Sequence, residues 1–219
     1  VLVMIYVFFA FSILIAFLIP QGRMRRVMKL ISNYWLGVLM YLALTILIAD
    51  LIRLILIYFV KADQKKFRTP KVFRIVGSIC MILIVSTSFY GVYNARNIRT
   101  TSYHVTIHKK VGNHKKLKII LLADLHLGYN IGVRQVQRIV NSINKQDADL
   151  VLIAGDIFDN EWEAVDQPEE LEKILRGIKS KYGVYACYGN HDIQEQVLAG
   201  FTFGGQKEKT SSPEMDGFI

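Results

Sequence analysis

Three long apolar runs fill most of the first half of the chain and leave little choice of fold there. Val1 to Ile19 carries no charge, Trp35 to Val60 carries only Asp50 and Arg53, and Ile75 to Tyr93 again carries none. A bilayer core is crossed by about 20 mainly apolar residues in a helix, so each run reads as a membrane helix. The first could be taken for a signal peptide, but with no basic region before it and no small-residue cleavage site after it, it is read as a membrane helix. At about 1.5 Å per residue the second would span about 39 Å, enough to tilt or to leave its ends in the interface. Tyr34, Trp35 and Tyr58 stand where interfacial aromatics belong.

Charge divides the chain in the same way. Residues 1–99 hold 13 Lys or Arg against two acids, Asp50 and Asp63, whereas residues 100–219 hold 14 against 16. The whole surplus of nine positive charges therefore lies among the apolar runs, which points to a membrane surface and away from nucleic acid. The linker from Lys61 to Arg74 holds six basic residues and the one from Pro20 to Tyr34 holds four, Arg23, Arg25, Arg26 and Lys29. The richer linker belongs on the cytoplasmic side, which puts the chain after Tyr93 outside. Asp50 and Arg53 are three apart on one helix and read as a structural pair. Cys80 and Cys187 suggest no disulfide framework.

From Thr100 onward the pattern is that of an α/β domain. Tyr103 to His108 alternates like a strand, and Val111-Gly112-Asn113-His114 supplies turn residues before an apolar strand at Leu117 to Ala123, which together predict an antiparallel hairpin. Val133, Val136, Ile139, Val140 and Ile143 share one helical face within Gly132 to Gln146. Asp149 to Ala154 is a second buried strand. Pro168 opens a helix with the stripe Leu171, Ile174, Leu175 and Ile178, and Gly183 to Tyr188 is a third strand. Strands alternating with helices imply right-handed crossovers and a parallel core. Ligands of such sheets bind beyond the carboxyl ends of the strands.

Those ends are unusual. The first strand leaves as ADLHLG with Asp124 and His126, the second as AGDIFDN with Asp156, and the third as CYGNHD with Asn190 and His191. Hydrophobic strands more often end in plain turn residues. Three loops at one sheet edge would gather carboxylates, imidazole and an amide oxygen, a donor set that suits Mn²⁺, Fe or Zn²⁺ better than Ca²⁺. One Asp between two ions can bridge them at the spacing used in phosphoryl chemistry. Gly155 and Gly189 let the backbone turn just before these residues. His104, His108 and His114 read as surface or packing residues.

The ordered set D-x-H, GD-x-x-D and GNHD closely resembles the calcineurin-like metallophosphoesterase superfamily over about Leu117 to Asp192. The arrangement of helices, the YGVYNARNIRT segment and then LKIILLADLHLG most resembles its bacterial integral-membrane members. The fold implied is a membrane α-helical segment, residues 1–99, followed by part of an αββα sandwich in residues 100–219. The resemblance implies that Asp124 and His126 ligate one divalent metal, that Asp156 bridges two, and that Asn190 ligates the second. It gives His191 a contact with the phosphate, where it stabilises charge or protonates the leaving group. Asp159 reads as a support beside the ligands, and Asp192 as a cap for the next helix.

The resemblance also implies a phosphoester or pyrophosphate hydrolase that the bilayer keeps close to lipid-linked phosphates. Members of the family complete both metal sites with later histidines, but none follows His191 here. The chain is therefore expected to be an internal or C-terminally truncated piece, inactive alone. The competing readings are a non-catalytic membrane sensor that keeps the fold and a nuclease of the same superfamily. The slight acidic excess of residues 100–219 opposes the nuclease.

Overall fold

The computed structural model describes residues 2–20, 22–108, 116–159, 162–192, 197–198 and 201–202. They fall into two compact units, Val1–Asn97 and Ile98–Ile219.

The first unit is helical: α1 Leu2–Leu18, α2 Arg23–Tyr58, the single turn α3 Gln64–Phe67, and α4 Pro70–Arg96. A sharp start signal opens α4, where Thr69 caps Val72 N through its hydroxyl at 3.4 Å and Pro70 occupies the first turn. Small residues let α1 approach α2, with Ser12, Ala16 and Ser32 all buried. Trp35 stacks on Phe9 at 5.2 Å and meets the edge of Tyr6 at 5.8 Å. Between α2 and α4, Arg96 donates to the Tyr34 hydroxyl at 2.6 Å. Asp50 and Arg53 pair at 3.5 Å on an exposed face of α2.

Two features of this unit bear on the expected membrane helices. Among the described residues, only α2 and α4 are long and apolar enough to cross a membrane. The 17 described residues of α1 make a helix about 26 Å long, at the lower end of the range for a membrane span. The basic stretch after Pro20 is not a linker either, because Arg23, Arg25, Arg26 and Lys29 lie in the first turns of α2. Long basic side chains are good helix formers, so the apolar run simply extends backward through them. The resulting helix of 36 residues is about 54 Å long.

In the second unit the order is β1 Ile119–Leu122, α5 Val133–Asn144, β2 Leu150–Ala154, a 3₁₀ turn Trp162–Ala164, α6 Pro168–Leu175 and β3 Val184–Cys187; β4 Val197–Leu198 and β5 Phe201–Thr202 form a small antiparallel pair. The sheet is parallel in the order β1-β2-β3. Val136 and Val140 of α5 and Leu171 of α6 pack with Leu125, Leu127, Ile153, Ile157, Phe158 and Val165 into one core on a single face of the sheet. On the other face Ile119, Leu121 and Tyr185 are exposed. Cys80 and Cys187 are free thiols.

The predicted hairpin does not form. Tyr103–His108 carries no strand, and Tyr103, Val105 and Ile107 are exposed. Alternation marks a residue run that could lie on a sheet; only pairing makes it a strand. The predicted turn at residues 111–114 lies outside the described residues.

Candidate metal centre

A parallel sheet delivers the carboxyl ends of β1, β2 and β3 to one edge, and backbone bonds continue beyond the strands there. Asp124 N donates to Gly155 O at 3.2 Å, His126 N to Asp156 O at 3.0 Å, and Leu127 N to Ile157 O at 2.7 Å. Asp159 N returns to Leu127 O at 3.0 Å. The loop after β3 is joined by side chains. His191 N donates to Asp156 Oδ1 at 3.0 Å, while Asp192 accepts from Phe158 N at 2.9 Å and Gly189 N at 2.8 Å. Both carboxylate oxygens of Asp192 are thus turned back toward the preceding loops. The helix start that Asp192 was expected to cap lies outside the described residues; here the residue clamps two loops.

Left-handed backbone bends the exits inward. Asp124, His126 and Asp156 have φ of 55°, 46° and 52°. Residues with a Cβ seldom adopt this region, and Asp and His are among the few that enter it. Alternate residues of an extended exit would point to the same face; at Asp124 and His126 the left-handed turns bring the side chains round to each other. Gly155, at φ +75°, presses against Gly189, and a Cβ on it would lie 2.6 Å from Gly189 N. A Cβ on Gly189 would overlap the Asp156 carboxylate. The pair of glycines is what lets the second and third exits touch.

The side chains converge in two overlapping groups. In one, Asp124, His126 and Asp156 bring a donor atom each to within 4.8 Å of one another; in the other, His126, Asp159 and His191 do the same. His126 Nε2 is 3.9 Å from Asp124 Oδ1, and its Nδ1 is 4.0 Å from Asp159 Oδ1. The rings of His126 and His191 meet edge to face at 4.8 Å. Asn190 is exposed in the turn beside His191. Asp159, expected only as a support, stands in the second group with a donor atom as near as those of the histidines.

This arrangement fits divalent ions. His126 Nδ1 and His191 Nδ1 are buried atoms with no hydrogen-bond partner. Buried polar atoms are normally satisfied, and an orphan needs an explanation such as an ion. Carboxylates gathered at one point repel unless positive charge lies among them. Mixed oxygen and imidazole donors suit first-row divalent metals.

Known proteins bear the same features. Residues 117–217 match the family described as Calcineurin-like phosphoesterase. With its parallel sheet, its covering helices and its acidic and histidine-bearing strand exits, the segment of residues 117–217 belongs to the calcineurin-like metallophosphoesterase superfamily. It is 30% identical over 124 residues to a transmembrane protein with metallophosphoesterase domain from Danio rerio, covering 56% of this chain and 28% of that protein. An uncharacterized metallophosphoesterase of Helicobacter pylori is 37% identical over 83 residues, 38% of this chain and 22% of that one. The UDP-2,3-diacylglucosamine pyrophosphatase LpxG of Chlamydia trachomatis is 27% identical over 100 residues, 46% and 30% of the two chains. The chain therefore spans less than a third of the length of these relatives. No solved structure matches it.

Proposed function

We propose that the protein is a membrane-anchored, metal-dependent phosphohydrolase that cleaves phosphoester or pyrophosphate bonds on lipid-linked substrates. The observation that carries this reading is the convergence of Asp124, His126 and Asp156 at the edge of the sheet. Residues 1–99 form the anchor, a multi-pass segment, and residues 100–219 contribute the first part of the catalytic domain on the outer side. Asp124, His126 and Asp156, with Asn190 of the third exit, would hold the divalent ions. Bound divalent ions supply Lewis-acid charge and acidify water. His191 binds a phosphoryl oxygen or gives a proton to the leaving oxygen. Asp159 Oδ1 sits 4.0 Å from His126 Nδ1, which places a further carboxylate donor beside the same imidazole. Two helices of membrane-crossing length and the resemblance to a UDP-2,3-diacylglucosamine pyrophosphatase support the choice of substrate.

The test is Asp156→Asn, a near-isosteric exchange that removes the negative charge. Mn²⁺ affinity by calorimetry should fall by more than the about 10–100-fold typical of losing an outer hydrogen-bond partner. Hydrolysis of bis-p-nitrophenyl phosphate by the whole protein should be lost, with circular dichroism unchanged. Undiminished Mn²⁺ affinity in the variant would overturn the proposal.

A further inference from the structure

Asp192 is fully buried, with 0% exposure, yet it touches no group of opposite charge among the contacts described above. Its two oxygens are spent on two backbone amides from different loops, Phe158 N at 2.9 Å and Gly189 N at 2.8 Å. A buried carboxylate is costly unless hydrogen-bonded, and bonds to a charged acceptor are stronger than neutral ones. What this carboxylate joins explains its presence. Phe158 is itself fully buried and bridges to Leu127 of the first loop. Its ring packs edge-on against Trp162 at 5.6 Å. Gly189 lies against Gly155 and immediately precedes Asn190 and His191.

We infer that Asp192 is a positioning residue: it holds the Asn190–His191 turn at a fixed distance from the Asp156 loop, so that the two halves of the metal centre are in register before an ion arrives. The inference rests on the proposed metal centre. Only one other contact described here ties the third exit to the second through a side chain, His191 N to Asp156 Oδ1. That bond uses a prospective metal ligand, and an ion competes for the same oxygen. Asp192 makes its link without using a ligand, and it therefore persists whether or not metal is bound. Only a carboxylate offers two acceptors to two N–H groups; an amide in its place would turn an NH₂ against one of them.

Asp192→Asn in the full chain, held in detergent, provides the test. Hydrogen exchange should speed up at the amide of Phe158 or of Gly189, whichever faces the new NH₂, while Leu127 N, bonded to Ile157 O, keeps its protection. In Mn²⁺ titration the second ion should bind about 10–100-fold more weakly and the first little changed, the range expected for outer hydrogen-bond partners. Asp192→Glu keeps both acceptors at the cost of one methylene and should restore part of the second-ion affinity. That rescue separates positioning from a general loss of fold, which would lower the melting temperature and weaken both ions alike. Unchanged exchange at both amides, or unchanged second-ion affinity in Asp192→Asn, overturns the inference. If the unsubstituted chain took up no Mn²⁺, the metal-centre reading would fail, and the amide exchange would still decide the clamp.

Discussion

Asp156 serves two masters with one carboxylate. Its Oδ1 accepts from His191 N at 3.0 Å while the same carboxylate converges with Asp124 and His126, and its φ of 52° turns it off the strand axis. The neighbours that allow this are glycines. Gly155→Ala would set a Cβ 2.7 Å from Gly189 Cα at a φ of +75°. Overpacking costs about 1–3 kcal/mol, and the left-handed conformation adds about 1–2 kcal/mol for a residue with a Cβ. Thermal unfolding of this variant in detergent should begin at a clearly lower temperature, and an unmoved midpoint would contradict the geometry. The convergence of Asp124, His126 and Asp156 was legible in the sequence, because polar residues at the ends of buried strands conflict with ordinary strand endings. Asp192 was not. A carboxylate after a turn looks the same in sequence whether it caps the helix ahead or clamps the loops behind, and only burial separates the two.

At the scale of elements, α6 shows how packing decides structure. Its eight residues are fewer than the about 12–15 that an isolated helix needs to be even marginally stable. Pro168 at its start and Glu169 and Glu170 in its first turn favour it locally. The larger share comes from Leu171, which is wholly buried in the core. Leu171→Ala should destabilise the second unit by about 2–5 kcal/mol, read from hydrogen exchange of the α6 amides. Exchange rates like those of the unsubstituted chain would show that the helix stands without this anchor. The same principle sorts the strand expectations. Within Leu117–Ala123, β1 formed because β2 lies beside it to accept its bonds, whereas Tyr103–His108, with an equally good alternation, pairs with no strand among the described residues. Period is written in the sequence; pairing depends on residues far away.

The whole molecule is two kinds of chain joined at about residue 98. Net positive charge is confined to the helical part, where it can meet anionic lipid head groups. If α2 and α4 span a bilayer, washing membranes with alkaline carbonate should leave the chain in the pellet; recovery in the supernatant would refute the anchor. The helical part was readable because length and polarity alone define a membrane span, although the basic start of α2 hid its true length. The left-handed settings at Asp124, His126 and Asp156 also act on the molecule as a whole. Each holds a residue with a Cβ where glycine would rest more easily, and such strain costs on the order of 1–3 kcal/mol per site. The protein is consequently less robust than its architecture permits. Shedding these side chains for glycine would relieve that cost and remove the donors of the proposed centre, so toughness and ion capture would pull this part of the sequence in opposite directions.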